Sequence, residues 1–581
     1  MPRAPLTRQP AGAILPGAFR RWLPPLAVAL LVAAAYGNAL HNPFVYDDHD
    51  TVTANPSIVD PSNVRFLLVY SPFRPVVNVS YALDRLAFGA GPEGFHATSI
   101  ALHGGVAALL YLFLVGLLAD SGLTRWTRTA AFLGAAVFAL HPIQTEAVGY
   151  ISGRSELLCA FWFLASLLAA RRAMHSGRRV DAGISLVCAA LALAAKEVAI
   201  VLPVVILAYD WLLGPGGEPA RRARRRRYFV PAIVALLIAG AVRAAALGVP
   251  SVVSGAGAAV LNLLTQGIVI WRYVGLLVWP HGQSIMHAVH RVTTVADAQG
   301  LAAAAALLLA VMMAVRVRRT APVVTFGVLW FLAVLAPSSS IVPLREGMAE
   351  HRVYLASAGL IAIVVERAAV WLAGRRFAAA RLPVVAASCA ALVILGVLTV
   401  RRNVVWSSPV TLWGEAVNHA GGMWEPHYAL ADSLREAGDC HRAIAAYERV
   451  VELAPGHRDA YTNLGICLAQ TGQLPEAERA FRDALEIDPG FVRGYTNLGA
   501  LALLEGDAER ARDFYREALA HDRGNVLARL QLASLLEHTF RDYHAAARMC
   551  GEARQLAPAT PGVEECVTRN QRLAAERDQG R

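Results

Sequence analysis

The chain has 581 residues, a hydrophobic fraction of 56% and a formal net charge of +11. Its mean hydropathy of +0.43 excludes an ordinary soluble protein. Repeated apolar runs of roughly 20 residues, the length that crosses a bilayer, account for this value. The positive charge lies in short arginine clusters between the runs, which indicates cytoplasmic loops at an anionic membrane surface and excludes a nucleic-acid-binding class.

The apolar runs predict an all-α membrane domain with eleven spans. The predicted spans are 22–40, 97–119, 128–141, 155–171, 181–196, 197–213, 229–247, 299–315, 321–337, 353–373 and 382–400. Segment 258–279 is equally apolar, but counting it as a span would place the cluster Arg316–Arg319 outside. We therefore interpret 248–298 as an excursion on the outer face with a re-entrant or interfacial helix, and twelve spans are the alternative.

The arginine clusters set the predicted orientation. When every cluster faces the cytoplasm, the N-terminus is cytoplasmic and the chain after residue 400 is extracytoplasmic, as in a multi-pass inner-membrane protein. The predicted domains are a cytoplasmic N-terminus (1–21), a polytopic membrane domain (22–400) that includes a long first outer loop (41–96), a linker (401–423), repeats (424–560) and a C-terminal tail (561–581).

The first outer loop carries an acidic cluster, with Asp47, Asp48 and Asp50 just after the first span. Carboxylates at a membrane surface are costly and are usually retained for function. A solvated turn is the alternative interpretation. We predict that Asp47 and Asp48 supply the general base of a site at the outer interface.

Lys196 is the single lysine among 54 basic residues, and it lies at the outer end of a predicted span beside Glu197. The chain has arginine at every other basic position, so a single retained lysine indicates that a compact ammonium is needed there. Contact with a phosphate would be one such need. Chance survival of one codon, or simple neutralisation by Glu197, is the alternative.

The other outer loops collect further polar side chains, and each has a structural alternative. We predict that Arg74, Arg154 and Arg352, together with Lys196, bind the phosphate of a lipid donor. For Arg154 the alternative is an ion pair with Glu156. Further site candidates are His96, His103, His141, Glu146, Glu156, Glu197 and Glu350. His96 and His103 are also seven residues apart on one helical face, as core histidines would be. For His141 the alternative is a helix terminator before Pro142, and for Glu146 it is a cap of the next helix.

The tail from residue 424 has a period of 34 residues, seen in Gly438, Gly472 and Gly506. Aromatic residues recur with the same period at Tyr447, Phe481 and Tyr515. Small residues where helices cross and an aromatic residue on the second helix are typical of tetratricopeptide repeats. We predict three clear repeats and a degenerate fourth, forming an α-solenoid that binds acceptor proteins or peptides.

The seven cysteines show neither a disulfide framework nor the spacing of metal ligands. No His and carboxylate form a recognisable ligand pair, so we predict no metal site and no required cofactor, with a divalent metal as the less favoured alternative.

Taken together, the chain resembles the transmembrane and tetratricopeptide-repeat-containing O-mannosyltransferases, which are membrane glycosyltransferases of the GT-C fold. The matching motifs are Phe44–Asp50, His141–Val148, Gly153–Leu157, Lys196-Glu197 and Glu350–Leu355, followed by the repeats. The resemblance implies a polyprenyl-phosphate sugar donor, inverting transfer to Ser or Thr, and catalytic acid at Asp47 and Asp48. The composition, rich in arginine and alanine, predicts a bacterial-type member.

Two other classes of function stay open at this point. One is a non-catalytic membrane-anchored scaffold that uses its repeats to hold envelope proteins. The other is a transporter of lipid-linked sugars, for which polar residues are expected at mid-membrane depth and not at one face.

Overall fold

The computed structural model describes residues 19–226, 230, 231, 234, 255–339, 344, 346–373 and 381–580. Within these residues the secondary structure is helical throughout and no strand occurs, which confirms the all-α prediction. The chain divides into two compact units, Met1–Leu412 and Trp413–Arg581.

The described residues of the first unit form mostly apolar helices. In chain order they are α1 (Phe19–Tyr36), α2 (Val64–Tyr70), α3 (Pro75–Phe88), α4 (Pro92–Asp120), α5 (Thr127–Leu140), α6 (Thr145–Gly149), α7 (Arg154–Ser176), α8 (Arg179–Ala195), α9 (Leu202–Leu212), α10 (Glu218–Arg224), α11 (Gly255–Val278), α12 (Ala298–Arg316), α13 (Pro322–Leu335), α14 (Tyr354–Ala373) and α15 (Arg381–Val405).

Seven helices in the described residues are long and apolar enough to cross a membrane, or eight if a bent pair forms one span. Six predicted spans, namely 22–40, 97–119, 155–171, 299–315, 353–373 and 382–400, fall on such helices. The predicted spans 181–196, 197–213 and 321–337 fall on the shorter helices α8, α9 and α13. The predicted span 229–247 lies outside the described residues.

The bent pair joins α5 to Pro142–Gly149 at an angle of 53°. Proline disfavours helical backbone at the residue before it, and His141 is accordingly extended, with φ −75° and ψ 125°. The helix therefore ends at Leu140, and the chain turns into α6 at the point where the polar motif of residues 141–156 begins.

Helix α11 covers the segment that we interpreted as an outer-face excursion. It has the length and composition of a membrane-spanning helix. Counting it as a span gives the alternative of twelve spans. Its C-terminal half makes polar contacts with the loops on either side: Gln266 donates to the Gly347 carbonyl, Tyr273 donates to the Ala349 carbonyl, and Arg272 donates to the Ala288 carbonyl. These contacts attach the helix to the segment that carries Glu350.

The second unit is a stack of helical pairs. After α16 (Pro409–Ala420) its helices are α17 (Trp424–Glu436), α18 (Cys440–Leu453), α19 (Arg458–Gln470), α20 (Leu474–Ile487), α21 (Val492–Leu504), α22 (Ala508–His521), α23 (Val526–His538), α24 (Tyr543–Leu556) and α25 (Val563–Asp578).

The predicted contacts between small and aromatic residues hold the pairs together. A Cβ atom added to Gly465 would lie 2.6 Å from the Phe481 ring, and one added to Gly499 would lie 2.6 Å from the Tyr515 ring. Since real carbon atoms do not approach so closely, only glycine allows these helices to cross at this distance. These close contacts between small and aromatic residues confirm the predicted tetratricopeptide repeats.

The expectation that the cysteines form no disulfides was wrong for the tail. Cys440 is bonded to Cys467, and Cys550 is bonded to Cys566, with Cα–Cα distances of 5.0 and 5.7 Å. The pairing could not be predicted from the cysteine spacing, because each bond joins residues of two different helices that come together only when the helices stack. The three cysteines of the first unit are free.

Candidate functional site

A cavity of about 360 Å³ in the first unit brings together residues from five separate segments. The segments are the loop after α1, the start of α3, the turn between α6 and α7, the junction of α8 with the next helix, and the stretch before α14. Its charged or hydroxyl-bearing wall residues include Asp47, Asp50, Arg74, Tyr150, Ser152, Lys196, Glu346 and His351.

Asp47 and Asp48 have different environments, although the sequence treats them alike. Tyr46 takes a left-handed backbone conformation with φ +53°, after which Asp47 is exposed and lines the cavity, whereas Asp48 is 0% exposed and does not line it. The backbone N–H of Asp47 donates to the Tyr150 hydroxyl at 3.2 Å. Asp47 is therefore the carboxylate that a substrate in the cavity would meet.

Asp48 is held by three hydrogen bonds beneath the cavity wall. Its Oδ1 accepts from the backbone N–H and the hydroxyl of Ser152, both at 2.7 Å, and its Oδ2 accepts from the Val45 N–H at 3.1 Å. Burial raises the pKa of Asp48 to about 6, against the lowering effect of these hydrogen bonds. Asp48 thus positions Ser152, which is itself in the wall; assigning it direct contact with substrate was wrong.

Two of the predicted phosphate ligands lie in the cavity wall, and each has an acidic partner. Arg74 lies 3.3 Å from Glu197, and Lys196 forms a buried ion pair with Glu156. The interpretation that Lys196 is neutralised by its neighbour Glu197 was wrong, because the two side chains have different partners. Both cations remain at the cavity surface, where Arg74 is 40% exposed and Lys196 is 9% exposed in their side chains.

Arg154 does not reach the cavity, so its prediction as a phosphate ligand was wrong. It is fully buried, forms an ion pair with Asp84 at 2.5 Å and donates to the Phe95 carbonyl at 2.6 Å. The alternative of a pair with Glu156 was wrong as well. Because a buried guanidinium needs such partners, Arg154 is a structural residue that joins α7 to α3 and α4.

Gly153 explains how the turn before Arg154 is formed. A Cβ atom at this position would lie 2.9 Å from the Ala147 carbonyl oxygen. Only glycine allows the turn to pack this closely against α6, and this packing places Ser152 in the wall of the cavity and Arg154 beneath it.

Arg352 is also outside the cavity wall and acts through Glu346. It donates to the Glu346 carbonyl at 3.0 Å, while the Tyr46 hydroxyl donates to the Glu346 carboxylate at 3.2 Å. Its prediction as a direct phosphate ligand was wrong, since these contacts make it a support for the wall.

The glutamates Glu146 and Glu350 are buried and fully engaged. Glu146 contacts His351, with Nδ1 and Oε1 at 2.5 Å, and accepts from the Glu350 N–H at 2.9 Å. Glu350 contacts His287 at 2.9 Å and accepts from Gln283 and from the Ser284 N–H. Neither glutamate lines the cavity, but Glu146 holds a histidine that does.

The three histidines predicted as site candidates are core residues. His96 contacts the Asn42 carbonyl oxygen at 3.0 Å, His103 contacts Tyr354 and the Ala139 carbonyl oxygen, and His141 contacts the Leu277 carbonyl oxygen at 3.1 Å. None of them lines the cavity, which agrees with the alternative interpretation of core histidines and a helix terminator, although Nδ1 of His96 has no hydrogen-bond partner among the described residues.

The sequence also missed wall residues. Tyr150, Ser152, Glu346 and His351 were not predicted, although three of them lie within or beside the motifs 141–157 and 350–355. Their position within or beside these motifs was the sequence feature that could have identified them. Within the described residues there is no group of three or more His, Cys, Asp or Glu side chains able to hold a metal ion.

The tetratricopeptide-repeat family matches residues 428–491. Human protein O-mannosyl-transferase TMTC1 is 26% identical over 522 residues, which cover 76% of this chain and 57% of the human protein. Mouse protein O-mannosyl-transferase TMTC2 is 31% identical over 157 residues, covering 25% of this chain and 18% of the mouse protein. The chain is therefore similar to the TMTC protein O-mannosyl-transferases.

The chain spans little more than half the length of human TMTC1. Human TMTC4 matches a shorter part, with 27% identity over 184 residues and 28% of this chain covered. The resemblance read from the motifs is confirmed.

Solved tetratricopeptide-repeat proteins match part of the chain only. The crystal structure of MamA covers 26% of this chain and 86% of its own at 18% identity, with a TM-score of 0.24. YrrB, described as a TPR protein with an unusual peptide-binding site, covers 28% of this chain and 84% of its own at 18% identity, with a TM-score of 0.24. At these scores we draw no conclusion from either protein.

Proposed function

We propose that the chain is a membrane glycosyltransferase that moves a mannose-like hexose from a polyprenyl-phosphate donor to Ser or Thr hydroxyls of proteins at the outer face of the membrane. The observation that carries the proposal is the cavity in which the carboxylate of Asp47 shares a wall with the cations Arg74 and Lys196. The names of the TMTC relatives support the class of reaction and the sugar.

Asp47 takes the role of general base. The acceptor hydroxyl must lose its proton as its oxygen attacks C1 of the sugar, and a positioned carboxylate contributes typically about 10²- to 10⁴-fold to such a step. Attack opposite the phosphate inverts the configuration at C1. Asp48 keeps Ser152 in place and does not itself meet the acceptor.

Arg74 and Lys196 stabilise the leaving phosphate. The bond from C1 to the phosphate oxygen breaks with its electron pair on oxygen, and preorganised cations at that point lower the barrier. Arginine binds two phosphate oxygens with its fork, and lysine acts as a point charge. In this proposal the two side chains supply the positive charge and no cofactor is required.

The proposed topology has a cytoplasmic N-terminus and the repeats on the extracytoplasmic side of the inner membrane. The arginine clusters support it through the positive-inside rule. The two disulfides of the second unit support it independently, because disulfides persist in oxidising compartments and are rare in the cytosol. The proposed partners are the bilayer, the lipid-linked sugar and acceptor proteins bound by the repeats.

Mass spectrometry of envelope-protein glycans tests the proposed function. Cells with the wild-type chain should carry hexose on Ser or Thr of their acceptor proteins, and cells with Asp47→Asn should lack it. Asp60→Asn is the matched control, since Asp60 is an exposed carboxylate of the same loop that does not line the cavity. Identical glycans with and without the chain would contradict the proposal.

A further inference from the structure

His351 lies in the wall of the cavity and is held by a buried carboxylate. Its Nδ1 is 2.5 Å from Oε1 of Glu146, while its backbone N–H and that of Glu350 donate to Oε2 of Glu146 at 3.2 and 2.9 Å. Glu146 is 3% exposed. Three hydrogen bonds from one short peptide segment therefore fix both the carboxylate and the orientation of the imidazole ring.

The other ring nitrogen of His351, Nε2, is available to a substrate in the cavity. Nδ1 is engaged by Glu146, the side chain is 20% exposed, and no described residue forms a hydrogen bond with Nε2. A histidine bonded at one nitrogen to a carboxylate and open at the other is the arrangement of a proton-transfer residue with its orienting partner. Burial raises the pKa of Glu146 and lowers the pKa of His351, so at neutral pH the pair holds one proton between Oε1 and Nδ1.

The charge balance of the cavity indicates what this nitrogen would do. Lys196 and Arg74 are already paired with glutamates, and Asp47 and Asp50 add negative charge to the wall. A sugar phosphodiester carries one negative charge, and its phosphate gains a second when the bond to C1 breaks. A proton donor at the leaving oxygen would remove this second charge, which the two paired cations offset only in part.

We propose, on the basis of the proposed function, that His351 is the general acid of the reaction and Glu146 its positioning residue. The acceptor proton passes to Asp47 as the acceptor oxygen forms its bond to C1. The bond from C1 to the phosphate oxygen breaks, its electron pair stays on oxygen, and this oxygen takes a proton from Nε2 while Nδ1 takes up the proton shared with Glu146. Return of one proton from Asp47 to His351 through solvent restores the starting state.

Charged groups surround His351 on every side, and they determine its titration together. They are Glu146 on α6, Glu156 and Lys196 at the α7 and α8 ends, Glu346, Glu350 and Arg352 on its own segment, Arg402 near Glu146, and Asp47, Asp50 and Arg74 across the cavity. Most of them are paired with each other, and among the described residues Glu146 is the one carboxylate in hydrogen-bond contact with the ring. Replacement of Glu146 should leave the ring without the shared proton at neutral pH.

The experiment measures turnover against pH for the full chain in nanodiscs, with a short-chain polyprenyl-phosphate mannose as donor and a Ser/Thr peptide as acceptor. His351→Asn keeps an N–H that can donate to Glu146 but has no group at the position of Nε2. It should lower kcat by about 10²- to 10⁴-fold, keep donor affinity, and lose the alkaline fall in rate that the proposal predicts for the wild type. His41→Asn, an exposed histidine outside the cavity, is the control.

Glu146→Gln gives a second, independent result. The variant keeps His351 but removes the carboxyl group that shares its proton, so the alkaline fall in rate should move to lower pH by about one unit or more. Wild-type kcat with an unchanged alkaline fall in His351→Asn, or loss of donor binding as large as the loss of kcat, would overturn the inference. An unshifted profile in Glu146→Gln would overturn it as well. A wild-type chain that transfers no sugar would instead overturn the proposed function.

Discussion

Replacement of Asp48 by Asn should stabilise the protein at neutral pH, although it loses the hydrogen bond from the Val45 N–H. The two side chains have the same shape, so the change removes a charge without leaving a void. Burial raises the pKa of Asp48 from 3.8 to about 6, which means that desolvation of the charge outweighs the hydrogen bonds from Ser152 and Val45. The wild-type protein thus retains a costly buried charge beside the cavity.

The size and the pH dependence of the effect follow from that shift. The folded state holds the Asp48 proton more tightly than the unfolded state, so stability falls as the pH rises from about 4 to about 6 and stays low above that range. A shift of about two pH units corresponds to at most about 3 kcal/mol. Asp48→Asn has no such loss, so it should match the wild type below this range and exceed its stability above it.

Thermal unfolding in detergent at one pH below the range and one above it measures this difference. The Asn variant should melt at the wild-type temperature at the low pH and at a higher temperature at the high pH. A variant that is less stable than the wild type at neutral pH would show that the hydrogen bonds of Asp48 outweigh its desolvation, and would refute the reasoning. Asp60→Asn, at an exposed position of the same loop, should show no such gain.

Four further predictions follow from particular contacts. Lys196→Arg should lower turnover at least about tenfold, or 1.4 kcal/mol, because a guanidinium does not fit the buried position of an ammonium; wild-type kinetics would contradict this. Asp84→Ala should cost about 3–5 kcal/mol of stability by leaving Arg154 buried without its partner, and a melting temperature restored by adding Arg154→Leu would confirm the cause. In intact cells the four tail cysteines should resist alkylation until a reductant is added, whereas alkylation without reductant would contradict the disulfides and the proposed compartment. Deletion of 424–581 should impair transfer to proteins but largely spare transfer to a small acceptor, and equal loss on both would make the tail part of the catalytic unit.

Local periodicity was the part of the fold that the sequence could predict. The positions Gly465 and Gly499, and the aromatic rings that cover them, follow from the 34-residue period alone, since each repeat packs only against its neighbours. The all-α class and most apolar spans follow from composition in the same way. The disulfides were missed because each one joins residues of different helices.

The candidate site was predicted in its residue types but not in its pairings. Sequence reasoning paired neighbours in the chain, such as Lys196 with Glu197, whereas the ion pair joins Lys196 to Glu156, forty residues away. Likewise, Asp47 and Asp48 differ in role because consecutive side chains of a turn point in different directions, one into the cavity and one beneath it. His351 acquires its proposed role only through Glu146, on a distant helix.

The central claim is that Asp47 removes the proton of a Ser or Thr acceptor in sugar transfer from a lipid phosphate. The most direct measurement is transfer of labelled mannose from a polyprenyl-phosphate donor to a Ser/Thr peptide by the purified chain in nanodiscs, for the wild type, Asp47→Asn and Asp60→Asn. The account predicts that the wild type and Asp60→Asn transfer the sugar with inversion, and that Asp47→Asn binds the donor but turns over at least about 10²-fold more slowly. Undiminished transfer by Asp47→Asn would contradict the account.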